Sequence, residues 1–208
     1  MSTTRGKFIT LEGPEGAGKT TQILKLAEVI SSKGRQVVTT REPGGTEVAE
    51  RIRALLLDPD NKAMGVDTET LLMFAARSDH LHHVIEPALA RGEWVVCDRF
   101  TDATYAYQGG GRGVSTQRLS ILEDWVQGRL RPDLCLVLDL DVTEGLRRAR
   151  RRSKADRFEL EHADFFERVR ETYLRRASES PKSYRIINAD QALEAVSQAM
   201  ETALESIL

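Results

Sequence analysis

The chain is short of cysteine, of long apolar runs and of net charge, and each shortage narrows what it can be. It has only two cysteines, Cys97 and Cys135. Each lies inside an apolar run, so both read as small core hydrophobes in a reducing compartment rather than as redox or metal groups. No stretch approaches the roughly 18 apolar residues of a membrane-spanning helix. Residues 1–7 also lack the apolar centre of a signal peptide. The expectation is a cytoplasmic chain with no membrane partner. Its 30 basic residues are balanced by 32 acidic ones, so no global basic field is available to hold nucleic acid by phosphate contacts, and no nucleic-acid partner is expected. There is no internal repeat, low-complexity tract or long linker. At 208 residues the chain reads as a single domain, 1–208, around one hydrophobic core.

Short apolar segments alternate with longer ones of helical period, the pattern of a parallel sheet covered by helices on both faces. Strands are expected at Phe8–Glu12, 36–40, Trp94–Asp98, Leu134–Asp139 and 184–187. Helices are expected at Lys19–Ser32, Glu47–Leu57, 67–91, 116–129, 142–152, 165–178 and 192–207. Pro87, inside the third of these, should kink or split it. Asp141 with Glu144, and Asp164 with Glu167, have capping-box spacing. Segments 108–115 and 153–163 lack periodicity and read as mobile loops.

The string GPEGAGKT at 13–20 fits G-x-x-x-x-G-K-[ST] and stands directly between an apolar strand and a helix. Glycines let backbone N–H groups turn inward around phosphates, and the helix N-terminus adds its positive dipole end. Lys19 would reach the β- and γ-phosphates of a nucleoside triphosphate, and Thr20 would place its hydroxyl on Mg2+. The D-x-x-G and N-K-x-D strings of a GTPase are both missing. The third strand ends Asp98-Arg99, and an arginine there suits a second phosphate held beside the first.

Four further segments follow in order: TREPGGT at 40–46, LLMFAAR at 71–77, Asp98-Arg99, and YQGGGRG at 107–113. With the loop at 13–20 they make the chain resemble thymidylate kinases over nearly its whole length. The resemblance implies an α/β, three-layer P-loop NTPase fold, with a five-stranded parallel sheet flanked by helices and a mobile arginine-rich lid at about 148–163. It also implies the reaction of ATP with dTMP to give ADP and dTDP, Mg2+ as cofactor, and a homodimer.

Site roles carry over position by position. Gly13, Pro14, Glu15, Gly16, Ala17, Gly18, Lys19, Thr20 and Thr21 would bind ATP, with Glu15 also near the acceptor's sugar and phosphate. Arg41, Pro43 and Arg53 would border the acceptor. An aromatic residue stacks on thymine in the family while an arginine bonds a base carbonyl, which points to Phe74 and Arg77. Those two are three apart here, where members often place them four apart, so Met73 competes for the stacking role. Arg99 would clamp the acceptor phosphate, and Asp98 would hold Arg99 or a Mg-bound water. Thr104 would face the base edge, Tyr107 the sugar, and Gln108 would add a base contact. Segment 147–157 gathers seven basic residues against one acid. More than a helix C-terminus needs, these belong by resemblance to the lid, with Arg150 and Arg152 as candidates for the transition-state arginine and Arg157 structural or phosphate-facing. His80, His82 and His83 share one helix, but a metal role for them is disfavoured.

Overall fold

The computed structural model describes residues 5–151 and 156–208. Its strands are β1 (Phe8–Glu12), β2 (Val37–Arg41), β3 (Trp94–Asp98), β4 (Leu134–Asp139) and β5 (Tyr184–Asn188). All pair in parallel, in the order β2-β3-β1-β4-β5. β2 runs one residue later than the expected 36–40. Arg41 stays in register with Asp98, and the Glu42 amide then donates to the Asp98 carbonyl at 2.9 Å. Ladder bonds follow the backbone, whereas the expectation followed side-chain polarity.

The helices are α1 (Lys19–Ser32), α2 (Glu47–Leu57), α3 (Val66–His80), α4 (Glu86–Ala90), α5 (Thr101–Thr104), α6 (Thr116–Gln127), α7 (Val142–Ala149), α8 (Ala163–Glu179) and α9 (Leu193–Leu204). Alternation along each strand divides the core between the two faces of the sheet. Ile9, Leu11, Val96, Leu134, Leu136 and Leu138 meet Ile23, Leu26 and Ile30 of α1 and Val196, Met200 and Leu204 of α9. On the other face, Phe8, Val95 and Cys97 meet Leu81, Ile85 and Leu89, while Cys135 and Val137 meet Phe165, Phe166, Val169 and Tyr173 of α8. Both cysteines are buried and free, in different clusters, as small core side chains. Among the described residues, no helix is long and apolar enough to cross a membrane.

Pro87 does split the expected helix 67–91. Its ring cannot donate an N–H and crowds the carbonyl four residues back. Just before it the chain widens into a π-turn, Leu81–Ile85, in which the Glu86 amide reaches back to the Leu81 carbonyl. A second π-helical segment, Tyr105–Gly111, takes 108–111 out of the segment read as a mobile loop, leaving 112–115 outside the helices. A Cβ on Gly110 would lie 2.2 Å from Thr172 Oγ1 and 2.8 Å from the Arg168 carbonyl. That glycine therefore serves close approach to α8 rather than flexibility.

Asp141 caps α7 as expected, its Oδ1 accepting from the Thr143 and Glu144 amides at 2.9 and 3.2 Å. The matching cap at Asp164 is not formed. α8 starts at Ala163, two residues before the expected 165, so Asp164 lies inside its first turn, where it complements the helix dipole. α7 ends at Ala149 rather than at 152, α6 ends before the positive-φ Gly128, and α9 gives way at Leu204 to a 3-10 turn, Glu205–Ile207.

Candidate active site

The carboxyl ends of β1, β2 and β3 open onto a cavity of about 330 Å³ lined by P-loop residues, the β2 and β3 exits, α2, α3 and the second π-segment. This is the edge at which α/β sheets bind ligands. Gly13 turns the chain out of β1 at φ 131, where a Cβ would fall 2.3 Å from the Leu138 carbonyl, so only glycine fits. α1 begins after Gly18 without a side-chain cap, which leaves its dipole end for an anion. Lys19 donates to the Gly13 and Pro14 carbonyls at 3.0 and 2.9 Å. Burial, and then Arg99, push its amine down to about 8.

Arg99 is the centre of the acceptor side. Its Nη1 donates to the Gly13 carbonyl at 2.9 Å and to Tyr173 Oη at 3.1 Å, and its Nη2 to Glu15 Oε1 at 2.6 Å. The guanidinium lies 4.8 Å from the centre of the Tyr107 ring, and the Tyr107 hydroxyl also donates to Glu15. Burial works against this cation, but Glu15 and its neighbours keep it firmly protonated. Asp98 makes no hydrogen bond or close ion pair with Arg99, though its charge adds to those that favour the Arg99 cation. Its buried Oδ1 has no hydrogen-bond partner among the described residues. Arg99 is also the one described non-glycine residue with positive φ, at 66°, a backbone state that costs about 1–3 kcal/mol and persists only where surrounding structure enforces it.

Across the cavity, Arg77 is almost fully buried. Its Nε donates to Glu42 Oε2 at 2.7 Å and its Nη2 to Thr104 Oγ1 at 3.0 Å, and its guanidinium sits 5.0 and 4.9 Å from the Phe74 and Phe100 ring centres. Phe74 does not line the cavity. It packs with Tyr105, Val114 and Leu119 beneath Arg77, whereas Met73, four residues before the arginine, forms cavity wall. A helix advances about 100° per residue, so the one-residue shift turns the aromatic ring inward. Phe74→Ala should therefore destabilise the fold by about 3–5 kcal/mol. Met73→Ala, at a partly buried position, should cost less stability than Phe74→Ala and raise the KM for the acceptor about tenfold, a loss of about 1.4 kcal/mol of contact. Urea unfolding and steady-state kinetics on both variants check this; the reverse pattern would return the stacking role to Phe74.

The remaining expected residues distribute as follows. Arg41 and Arg53 line the cavity, Arg41 paired with Glu50 and Arg53 donating to the Pro43 carbonyl at 2.9 Å. Burial, and then Arg41, lower the Arg53 guanidinium, which marks it as a cation short of negative charge. Pro43, Thr104, Tyr107 and Gln108 line the same space, Gln108 held by Glu69. Thr20 lines it too, exposed at the start of α1, while Thr21, also exposed, is not part of the cavity wall.

Arg150 is exposed past the end of α7 and outside the cavity wall, and Arg152 lies outside the described residues. Arg157 is buried, its Nε donating to the Leu56 carbonyl at 2.7 Å and its Nη1 pairing with Glu69 at 2.7 Å, while its Nη2 has no hydrogen-bond partner among the described residues. His80 is fully buried between Thr40 Oγ1 (2.6 Å) and Glu42 Oε1 (3.0 Å), and the described residues contain no cluster of three or more acids, histidines or cysteines able to hold a metal by themselves.

Five further residues shape the site without being expected from the sequence: Glu12 and Tyr173 beside Arg99 and Phe100, and Asp156, Phe158 and Glu159 in the cavity wall. An acid closing the apolar run of β1 was a visible signal for Glu12. Tyr173, one of three aromatics on the charged helix α8, offers none.

A glycine loop with a buried lysine, set beside a second cationic cradle across one cavity, defines a P-loop phosphotransferase that holds donor and acceptor together. The Thymidylate kinase family model matches residues 11–200. The chain is 61% identical over 203 residues to the thymidylate kinase of Pseudomonas entomophila, covering 98% of this chain and 97% of that one. Against the thymidylate kinase of Ectopseudomonas mendocina it is 59% identical over the same shares. The crystal structure of thymidylate kinase from Ehrlichia chaffeensis matches with a TM-score of 0.78 at 32% identity, covering 97% of this chain and 99% of that one. The chain belongs to the thymidylate kinase family.

Proposed function

We propose that the protein transfers the γ-phosphoryl group of ATP to dTMP, giving ADP and dTDP, as a cytoplasmic homodimer in dTTP biosynthesis. The observation that carries the acceptor reading is Arg77. It lines the cavity with its Nη1 unpartnered among the described residues, while Glu42 and Thr104 fix the direction of the other two nitrogens. An unpaired buried guanidinium N–H calls for an acceptor such as a base carbonyl. Met73 supplies the apolar face for the ring, and Tyr107 and Glu15 border the sugar and phosphate.

The acceptor phosphate is already ionised near neutral pH, so no strong general base is required. One of its oxygens attacks the γ-phosphorus in line, the bond to the bridging β-γ oxygen breaks, and ADP leaves with the electron pair. The protein contributes position and positive charge. Lys19 and the P-loop amides hold the donor phosphates, Arg99, with Arg41 and Arg53, holds the acceptor phosphate, and Arg150 or Arg152 approaches the transferred group as the lid closes. The Thr20 hydroxyl and the Asp98 carboxylate, whose Oδ1 has no hydrogen-bond partner among the described residues, suit a hydrated Mg2+ ion, which when bound would neutralise donor charge.

The dimer reading rests on an apolar face. Leu71 on α3 and Ile121 on α6, 55% and 61% exposed, border one depression, and Trp125 follows Ile121 by one helical turn at 82% exposure. A double change, Leu71→Glu with Ile121→Glu, should convert a dimer to monomer by sedimentation velocity. A wild-type monomer at micromolar concentration would end that reading.

The activity is tested by ADP release from Mg-ATP with dTMP, dUMP, UMP, CMP, AMP, GMP or no acceptor. Strong preference for dTMP is expected. Preference for another monophosphate would sink the thymine assignment, and acceptor-independent hydrolysis would sink the transferase.

A further inference from the structure

We infer that Glu12 is a positioning residue for Arg99, acting through the backbone amide of Phe100. This rests on the reading of Arg99 as the acceptor-phosphate clamp. The Arg99 backbone is held in the left-handed region at φ 66, and two consecutive amides fix it there. The Arg99 N–H donates to the Leu11 carbonyl at 2.9 Å, and the Phe100 N–H donates to Glu12 Oε1 at 2.7 Å. The first bond uses backbone, which every residue has. The second needs a side-chain acceptor at position 12, the last residue of an otherwise apolar strand.

Phe100 is itself fully buried, its ring edge-on to Phe8 at 4.9 Å, so its amide has no route to water. Glu12 has no exposure either. Burial, and then Asp102, push its acid up to about 8, so the group bears a burial cost that an apolar residue would avoid. The arrangement makes physical sense if the acceptor atom is what position 12 must supply. Without it the Phe100 amide would be buried unpaired, and the 98–100 turn would relax toward negative φ. The guanidinium would then swing off the Gly13 carbonyl, Glu15 and Tyr173.

The test compares Glu12→Met, which keeps volume and removes the acceptor, with Glu12→Gln, which keeps an acceptor oxygen. Glu12→Met is expected to lower kcat/KM for dTMP about tenfold while the affinity for a non-hydrolysable MgATP analogue changes less than about threefold. Glu12→Gln should recover most of the loss. In an Arg99→Gly background, where no guanidinium remains to be positioned, Glu12→Met should cost nothing further in dTMP affinity. The idea is overturned if folded Glu12→Met turns over dTMP like wild type, if Glu12→Gln is as impaired as Glu12→Met, or if the two losses add in the double variant. Should Glu12→Met not fold, Glu12→Gln alone decides, since a tenfold loss there contradicts the acceptor argument and near-normal kinetics support it. Failure of the acceptor reading itself is distinguishable, because wild-type protein would then show no dTMP preference at all.

Discussion

Arg99→Ala is expected to lower kcat/KM for dTMP by about 10³ or more, the scale on which a transition-state arginine acts in phosphoryl transfer, with the fold retained. The guanidinium is a fork with three fixed acceptors, the Gly13 carbonyl, the Tyr173 hydroxyl and the Glu15 carboxylate. It stands where the P-loop and the acceptor cradle meet. Removing it takes from Glu15 a guanidinium at 2.6 Å, and the neutral Tyr107 hydroxyl bond does not replace that charge, so attraction for an incoming phosphate weakens at the reacting centre. Arg99→Lys should recover little, because one ammonium cannot reproduce a planar fork on three acceptors. Structural damage should be limited. Alanine at φ 66 is strained no more than arginine, and the side chains of Arg99 and Glu15 are 14% and 21% exposed, so the loss falls below the ~3–5 kcal/mol of a fully buried pair broken on one side. Coupled ADP-release kinetics and thermal unfolding on one preparation decide the matter. Turnover within tenfold of wild type would remove Arg99 from the mechanism.

What could be read in advance follows from where the information lies. The central strands were legible because burial on both faces makes them continuous apolar runs, and the P-loop because its glycine, lysine and threonine spacing has few other causes. Gly110 and Gly111 mislead, since glycine signals both flexibility and close approach, and here Thr172 and Phe165 stand where their Cβ atoms would go. Phe74 misled for a related reason: a single residue of helical phase separates a cavity wall from a core position, and nothing local in LLMFAAR states which neighbour faces which way. Glu42 is one letter of TREPGGT, with nothing local to mark its partners. Its grip on Arg77 and His80 joins residues 35 and 38 positions away, a relation that exists only after folding. The acceptor cradle is thus a second-order product of the sheet. β2 and β3 deliver Glu42 and Arg99, α3 delivers Arg77, and the cavity takes shape between them.

Lys19→Met is expected to lower turnover by about 10²–10³, the cost of removing one preorganised donor from developing negative charge, and to raise stability at the same time. The amine is buried beside Arg99, and its pKa falls from 10.5 to about 8. A lysine depressed in the folded state binds fewer protons than the unfolded chain between those two values, so wild-type stability rises with pH across that window. Below about pH 8 the penalty is fully present. Methionine removes it, so the variant should exceed wild type at pH 7 by on the order of 1–3 kcal/mol, after allowing for the lost bonds to the Gly13 and Pro14 carbonyls. The gap should narrow as pH rises from 8 to 10.5. Urea unfolding at pH 7 and pH 9.5, beside the kinetic assay, tests both halves. A variant less stable than wild type at pH 7, with a parallel pH profile, would mean that Lys19 holds the loop together. A variant that loses activity while gaining stability means that the buried charge is kept for the donor phosphates, whose arrival restores the ammonium's preference for its proton.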